Sequence, residues 1–341
     1  MENRHGLSGS LTPQAARLSR IGDRQRAHMV SGAPRRWPIL LVACSSALLA
    51  CRSGDDHAPP HDAGVSAAAS AIGSALPEPS ATGIASAAAV PTPVAACPAF
   101  EVWLPATSSE GFWMGSGSLG NDPKHRVVLT KPFCIDATEV TVRAYKTCVD
   151  EGACEPPRTW GMWINFPTKL DHPVNKVGWR AARTFCKHAG KDLPTEAQWE
   201  WAATGDDMRP WPWGTESPTC EHADFTPGLL ESPSSDDGCR GGGTSPVGTS
   251  PRGDHVWPSG NVHDLAGNVW EWTLDNYVAV SPKLGSTTET DPLFMRNEAA
   301  PHVARGGGWN RSAKGIRSQF RAGSPVDYQV PGLGFRCVRA L

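Results

Sequence analysis

Residues Gly267 to Thr273 read GNVWEWT and place Glu271 between Trp270 and Trp272. Two indoles favour burial, whereas a carboxylate does not enter a protein interior unless something compensates its charge. Whatever compensates Glu271 decides whether this segment is a chemical centre or a piece of architecture. The remainder of the chain has to supply the partner.

Charge is unevenly distributed. Met1 to Ala50 carry seven basic against two acidic residues, so the formal charge of -2 conceals an acidic remainder: from Arg52 onward there are 25 basic and 32 acidic residues, a net of -7. Such a balance argues against a nucleic-acid partner, which calls for a basic face. RRWPILLVACSSALLAC (Arg35 to Cys51) joins two arginines to an apolar run of signal-peptide length, too short for the ~20 apolar residues of a membrane-spanning helix. Met29 is the start that would bring the arginines near the N-terminus.

Residues 52–96 are dominated by Ala, Ser, Pro and Gly, contain no aromatic residue, and read as a tether that cannot bury enough apolar surface to offset the entropy of ordering. Residues 97–341 hold 13 of the 14 tryptophans and every tyrosine and phenylalanine, and they read as one large loop-rich domain. EGFWMGS and HRVVLT alternate as short strands around the turn-rich GSLGNDP. TVRAYKTCVDEG predicts a helix capped by Thr141, with Val142, Tyr145, Cys148 and Val149 on one side. WRAARTFCKHAG predicts a second helix that ends at Gly190. In PTEAQWEWAATG, Thr195 and Gln198 form a capping box, Gly205 closes the helix, and Trp199, Ala202 and Ala203 make its buried stripe.

Chemistry-bearing motifs are scarce. GSGSLG (Gly115 to Gly120) has dinucleotide-loop spacing, but Asn121-Asp122-Pro123 follows where a helix would have to begin, so it is a loop. No C-x-x-C pair, H-E-x-x-H helix, G-x-S-x-G elbow or phosphate-binding loop is present. His263-Asp264 has no nucleophile to serve.

Taken in order, FWMGS, HRVVLTKPFCIDATEVTVRAY, HPVNKVGWRAARTFCKHAGKDLPTEAQWEWAATG, WPWG, SPVGTSP, HDLAGNVWEWT, HVARGGGW and GLGFRC resemble the sulfatase-modifying-factor domain, the fold of formylglycine-generating enzyme. LPTEAQWEWAA and GNVWEW make the resemblance specific. It implies an α+β, C-type-lectin-like fold with little regular secondary structure, stabilised by calcium and disulfides. Leu48-Leu49-Ala50-Cys51 likewise resembles a bacterial lipobox, as does Leu41-Val42-Ala43-Cys44. Lipid on Cys51 leaves eight cysteines, an even set that reads as disulfides in an exported chain, whereas lipid on Cys44 leaves Cys51 over. Arg52 is not the aspartate that holds lipoproteins at the inner membrane, so a lipid-anchored protein of the outer membrane or facing the periplasm is expected.

Calcium is a hard cation taking six to eight oxygens at about 2.3–2.6 Å. By resemblance, Glu271 would offer it a carboxylate, Gly267 and Val269 carbonyls, and Asn268 an amide oxygen or a turn bond. The competing reading of Glu271 is a buried carboxylate held by backbone N–H groups or an arginine. A second implied site takes the side chains of Asp224 and Asp237 with the carbonyls of Phe225 and Cys239. The resemblance pairs Cys186 with Cys337. Spacing suggests Cys148 with Cys154, Cys220 with Cys239, and Cys97 with Cys134.

The enzyme of this family works through two cysteines that bind copper(I), a soft ion suited to thiolates. On the matching turn those places fall at Arg311 and Ile316, and no cysteine lies between Cys239 and Cys337. Copper and family-type oxidation are therefore not expected, and no catalytic residue is assigned. Arg305, Arg311, Arg317 and Arg321 suggest a basic groove, against the plainer reading of solvated or carboxylate-paired loop arginines. The expectation is a non-catalytic envelope lipoprotein that binds a peptide or a glycan-associated partner. Its alternatives are an oxidoreductase using a displaced thiol or another metal, and a structural part of an envelope assembly.

Overall fold

The computed structural model describes residues 97–118, 123–228, 238–278 and 287–341, all within the unit Ile84–Leu341. The signal segment, Cys51, the tether 52–96, part of the GSLGNDP turn and Asp237 lie outside the described residues.

Short strands form where the sequence alternates. β1 (Glu101–Leu104) buries Val102 and Leu104 and pairs antiparallel with β4 (Phe133–Asp136), which also pairs with β12 (Val338–Ala340). β2 (Phe112–Met114) and β3 (His125–Val128) pair antiparallel, and β8 (Glu289–Thr290) runs parallel to β3. β5 (His255–Trp257) and β6 (Gly260–Val262) pair antiparallel as a two-stranded sheet. The largest sheet has the order β10-β9-β7-β11, formed by Arg321–Ser324, His302–Arg305, Trp270–Asn276 and Leu333–Gly334 respectively.

Each of the expected helices is present, close to its expected bounds. In α1 (Val142–Asp150) the Thr141 hydroxyl accepts from the Ala144 N–H, and Val142, Tyr145 and Cys148 are buried. α2 (Trp179–His188) follows. α3 (Glu196–Thr204) carries the full capping box: the Gln198 N–H donates to Thr195 Oγ1 at 3.1 Å, and the Thr195 N–H donates to Gln198 Oε1 at 2.9 Å. Its burial differs from the expected single stripe, because Glu196 and Glu200 are buried along with Trp199, Ala202 and Ala203.

The sheet explains how two buried carboxylates fit on an apolar helix. Strand residues point alternately to opposite faces. Trp270, Trp272 and Leu274 enter one core with α1, α2 and Phe335, whereas Trp199 and the alanines of α3 enter another with β1 to β4. Glu271 faces α3, where the Trp199 indole donates to its Oε2 at 2.8 Å. Register sets Glu271 opposite Arg305, and Arg305 opposite Arg321. One row of charges therefore crosses three strands beneath α3. Glu200 pairs with Arg305, and Glu196 receives Arg321 through two bonds of 2.7 and 2.6 Å.

Arg336 completes the row and answers the opening question. Its Nε and Nη2 donate to the two oxygens of Glu271 at 2.7 Å each, and its remaining donors reach the carbonyls of Asp136 (3.1 Å) and His263 (2.8 Å). Both partners are fully buried. An arginine compensates Glu271, as the competing reading of a buried, arginine-held carboxylate expected. Arg305 is corrected, being a fully buried ion-pair partner rather than a groove cation, and Arg321 is paired with Glu196 at the lining of a cavity, in keeping with the plainer reading of carboxylate-paired arginines.

Four disulfides join Cys97 to Cys134, Cys148 to Cys154, Cys186 to Cys337 and Cys220 to Cys239, matching the expected pairs. Among the described residues no helix is long and apolar enough to cross a membrane.

Removing one partner of a buried pair leaves the other charge uncompensated. Glu271→Ala should therefore destabilise the fold by ~3–5 kcal/mol, read by urea unfolding with disulfides intact. A loss under about 1 kcal/mol, the value of an exposed pair, would show that the pair is not an internal clamp.

Candidate functional site

The turn after β9 is the place where the resemblance expects reactive sulfur. Gly306 and Gly307 have φ of +86° and +74°, the left-handed region open to glycine. A Cβ on Gly307 would lie 2.5 Å from the Gly315 carbonyl oxygen and 2.8 Å from Ile316 Cγ2, so the turn closes directly on the loop carrying Arg311 and Ile316. Ile316 is fully buried in an apolar cluster with Trp211, Ala223, Phe225 and Ala266. Arg311 is half-buried, with its guanidinium carbon 5.5 Å from the centre of the Trp270 ring. Burial pulls Arg311 below its usual pKa, and among the described residues no carboxylate pairs with it. Arg317 lies over Trp211 at 5.5 Å, away from the Trp270 ring.

Aromatic residues pack along the neighbouring segments. Trp309 packs on Trp163 with ring centres 5.5 Å apart. Asn175 holds the Trp163 segment against the chain before β11, donating to the carbonyls of Trp163 (2.8 Å) and Pro331 (2.7 Å). The Lys176 ammonium donates to the Trp160 carbonyl at 2.9 Å. Trp160 and Met162 are each 68% exposed and Tyr328 is 48% exposed. The TWGMW run (Thr159 to Trp163) and Arg336 went unassigned in the sequence. The signal for Arg336 was a paired one: i,i+4 carboxylates on an otherwise apolar helix, and an acid between tryptophans, demand buried cations.

Among the described residues of the two implied calcium sites, Gly267 and Asn268 meet Asp224. The Asn268 N–H donates to the Asp224 carbonyl (2.8 Å), and a Cβ on Gly267 would stand 2.2 Å from that same oxygen. The Ser245 N–H donates to Asn268 Oδ1 at 2.9 Å and its hydroxyl to Asp224 Oδ2 at 2.6 Å. Asp224 Oδ1 is buried without a hydrogen-bond partner, and burial raises the Asp224 pKa to about 6. The Phe225 carbonyl accepts from the Cys239 N–H at 2.9 Å. Val269 is fully buried. Glu139 is buried with neither oxygen hydrogen-bonded, and burial and then the Asp264 carboxylate push it well above the usual range. Among the described residues, no group of three or more His, Cys, Asp or Glu gathers as a metal site.

Residues 99–341 match the sulfatase-modifying factor enzyme 1-like domain, and the chain belongs to that family. Its curated relatives include an inactive C-alpha-formylglycine-generating enzyme 2 from Bos taurus, 32% identical over half of each chain. A formylglycine-generating enzyme from Mycobacterium tuberculosis is 31% identical over 60% of this chain and 70% of its own. The alignment thus spans about half the length of the bovine relative. Among solved structures, PvdO from Pseudomonas aeruginosa matches with a TM-score of 0.53 at 22% identity, over 71% of this chain and 94% of that one, a likeness of fold.

The two positions should respond differently to truncation. Ile316→Ala leaves a cavity and should cost about 2–5 kcal/mol in urea unfolding. Arg311→Ala removes a ring contact worth about 1 kcal/mol or less. Equal losses would place Arg311 in the core.

Proposed function

We propose that this is a non-catalytic binding domain of the sulfatase-modifying-factor family, in a lipoprotein of the bacterial envelope, taking a peptide or glycan-associated partner near the loop that carries Arg311. The observation that carries the reading is Ile316: an aliphatic side chain packed into the core where a thiol would have to stand. All eight cysteines of residues 97–341 are paired in disulfides, and an arginine cannot act as a thiolate. The bovine relative whose name calls it inactive accords with this. Lipid on Cys51, exposure at the outer membrane or to the periplasm, and a C-type-lectin-like scaffold belong to the same reading. The test is a cysteine-containing peptide incubated with the protein, copper(I) and oxygen, with thiol loss followed by mass spectrometry. No loss above a boiled control is expected; turnover would sink the reading.

Calcium, on this reading, serves the scaffold. Buried carboxylate oxygens without donors suit a hard cation. Asp224 Oδ1 meets that condition, and so do both oxygens of Glu139 beside Asp264. Asp224 would act with the carbonyls of Phe225 and Cys239 and with Asp237. A ligand held only by the folded state raises its stability. Chelator should therefore lower the melting temperature and calcium restore it, with the response reduced in Asp224→Asn. An undiminished calcium shift in that variant would clear Asp224 of the role.

A further inference from the structure

A cavity of about 100 Å3 lies beside the first turns of α3, and none of the residues that line it belongs to the turn from Gly306 to Ile316. Four carboxylates line it: Glu196, Glu200, Asp275 and Glu289. Arg321 holds Glu196 and Arg305 holds Glu200. Among the described residues no arginine or lysine forms an ion pair with Asp275 or Glu289, and the Glu289 side chain meets only the His125 ring, at 4.0 Å. Burial, and then the Glu196 charge, raises the Asp275 pKa to about 6. The unpaired charge on this wall is negative.

Two further lining residues carry acceptors without donors. Gln319 is 3% exposed, and its Nε2 donates to the carbonyls of Met208 (3.4 Å) and Arg209 (2.9 Å), which fixes Oε1 as the other end of the amide. No donor among the described residues reaches that oxygen. Packing does not seal it either, so its accessible face lies on the cavity that Gln319 lines. His125 is 6% exposed, and its Nδ1 stands 2.8 Å from the Pro123 carbonyl. A carbonyl only accepts, so Nδ1 carries the proton and Nε2 of the uncharged ring is an acceptor. Buried acceptors left without donors are unfavourable. The donors of the same wall are engaged: Arg321 binds Glu196 and the Val278 carbonyl, and Asn276 Nδ2 binds the Asn297 carbonyl.

We infer that this cavity takes a primary ammonium on a short alkyl stem, with Gln319 Oε1, His125 Nε2 and the carboxylates of Asp275 and Glu289 as the groups it meets. An ammonium brings three donors, no acceptor and the missing positive charge. Met114, Val278, Pro292 and Phe294 line the same space and suit the methylenes of the stem. Cavities of about 150 Å3 accept benzene, so this one takes a slimmer group. A metal ion fits less well, because among the described residues no three His, Cys, Asp or Glu gather to hold one. The stem is either a lysine side chain of a bound chain or a free alkylamine. This site is separate from the Arg311 loop and does not depend on the binding reading above.

Met114 places a reporter in the cavity wall. The full chain is labelled with 13C at its methionine methyls, and the Met114 signal is assigned through Met114→Leu. The probes, near neutral pH, are n-butylamine (an ammonium there), n-butanol as its uncharged counterpart, potassium chloride, and acetyl-lysine-methylamide. The Met114 methyl signal should move with butylammonium and stay in place with butanol and potassium. Glu289→Gln should weaken that response ~10-fold or more, the scale of a bond to a charged group. The Glu289 side chain is 34% exposed and makes no hydrogen bond among the described residues, so the variant keeps the fold, with its urea midpoint unchanged. A Met114 signal indifferent to butylammonium, moved equally by butanol or potassium, or unaltered by Glu289→Gln would overturn the assignment. A response to acetyl-lysine-methylamide matching that to butylammonium assigns the ammonium to a lysine of a partner chain, and a response to butylammonium alone assigns it to a free alkylamine. Thiol turnover in the earlier assay would remove the binding-only reading and leave this result standing.

Discussion

The pair of Glu271 and Arg336 constrains everything around it. Both are fully buried, so neither charge can find water, and each is tolerable only while the other stays in place. The pair ties β7 to the segment that leads into β12, and the Trp199 indole brings α3 to the same carboxylate. Two further buried pairs, Glu200 with Arg305 and Glu196 with Arg321, extend the clamp along α3. A one-residue slip of β7 would turn Glu271 into the core of Trp179 and Phe335 and leave Arg336 alone, so the charges specify register as well as stability.

The opposite face of the strand packs into the core formed with α1 and α2. Because Glu271 faces α3, Trp270 faces the other way and reaches the Gly306–Arg311 turn. The same alternation therefore sets both the internal ion pair and the ring that meets Arg311. Of the two positions where the resemblance expects thiols, Arg311 is half-buried and Ile316 is absorbed by the core.

Much of the architecture was legible in the sequence because it rests on local rules. The Thr195–Gln198 capping box, the Thr141 cap and the strand alternation at Phe112–Met114 depend on neighbours a few residues apart, and each forms as expected. The family motifs, read in order, gave the fold and the positions of Arg311 and Ile316. The cysteine pairs could be read as well, from an even count and from short spacings, with the 151-residue span between Cys186 and Cys337 known only through the resemblance.

What the sequence determined by itself was that Glu271 needed a partner, since an acid set between tryptophans cannot stand alone in an interior; that Glu196 and Glu200 are buried as well came only from the structure. Which cation met which acid was decided only by tertiary structure. Arg336 lies 65 residues from Glu271, and Arg305 lies 105 from Glu200, distances over which no local spacing rule operates. Sequence proximity grouped four arginines into one groove; the sheet register turned Arg305 and Arg321 toward the acids of α3, because a strand sends its side chains to one face or the other and only the pairing of strands says which face is inside.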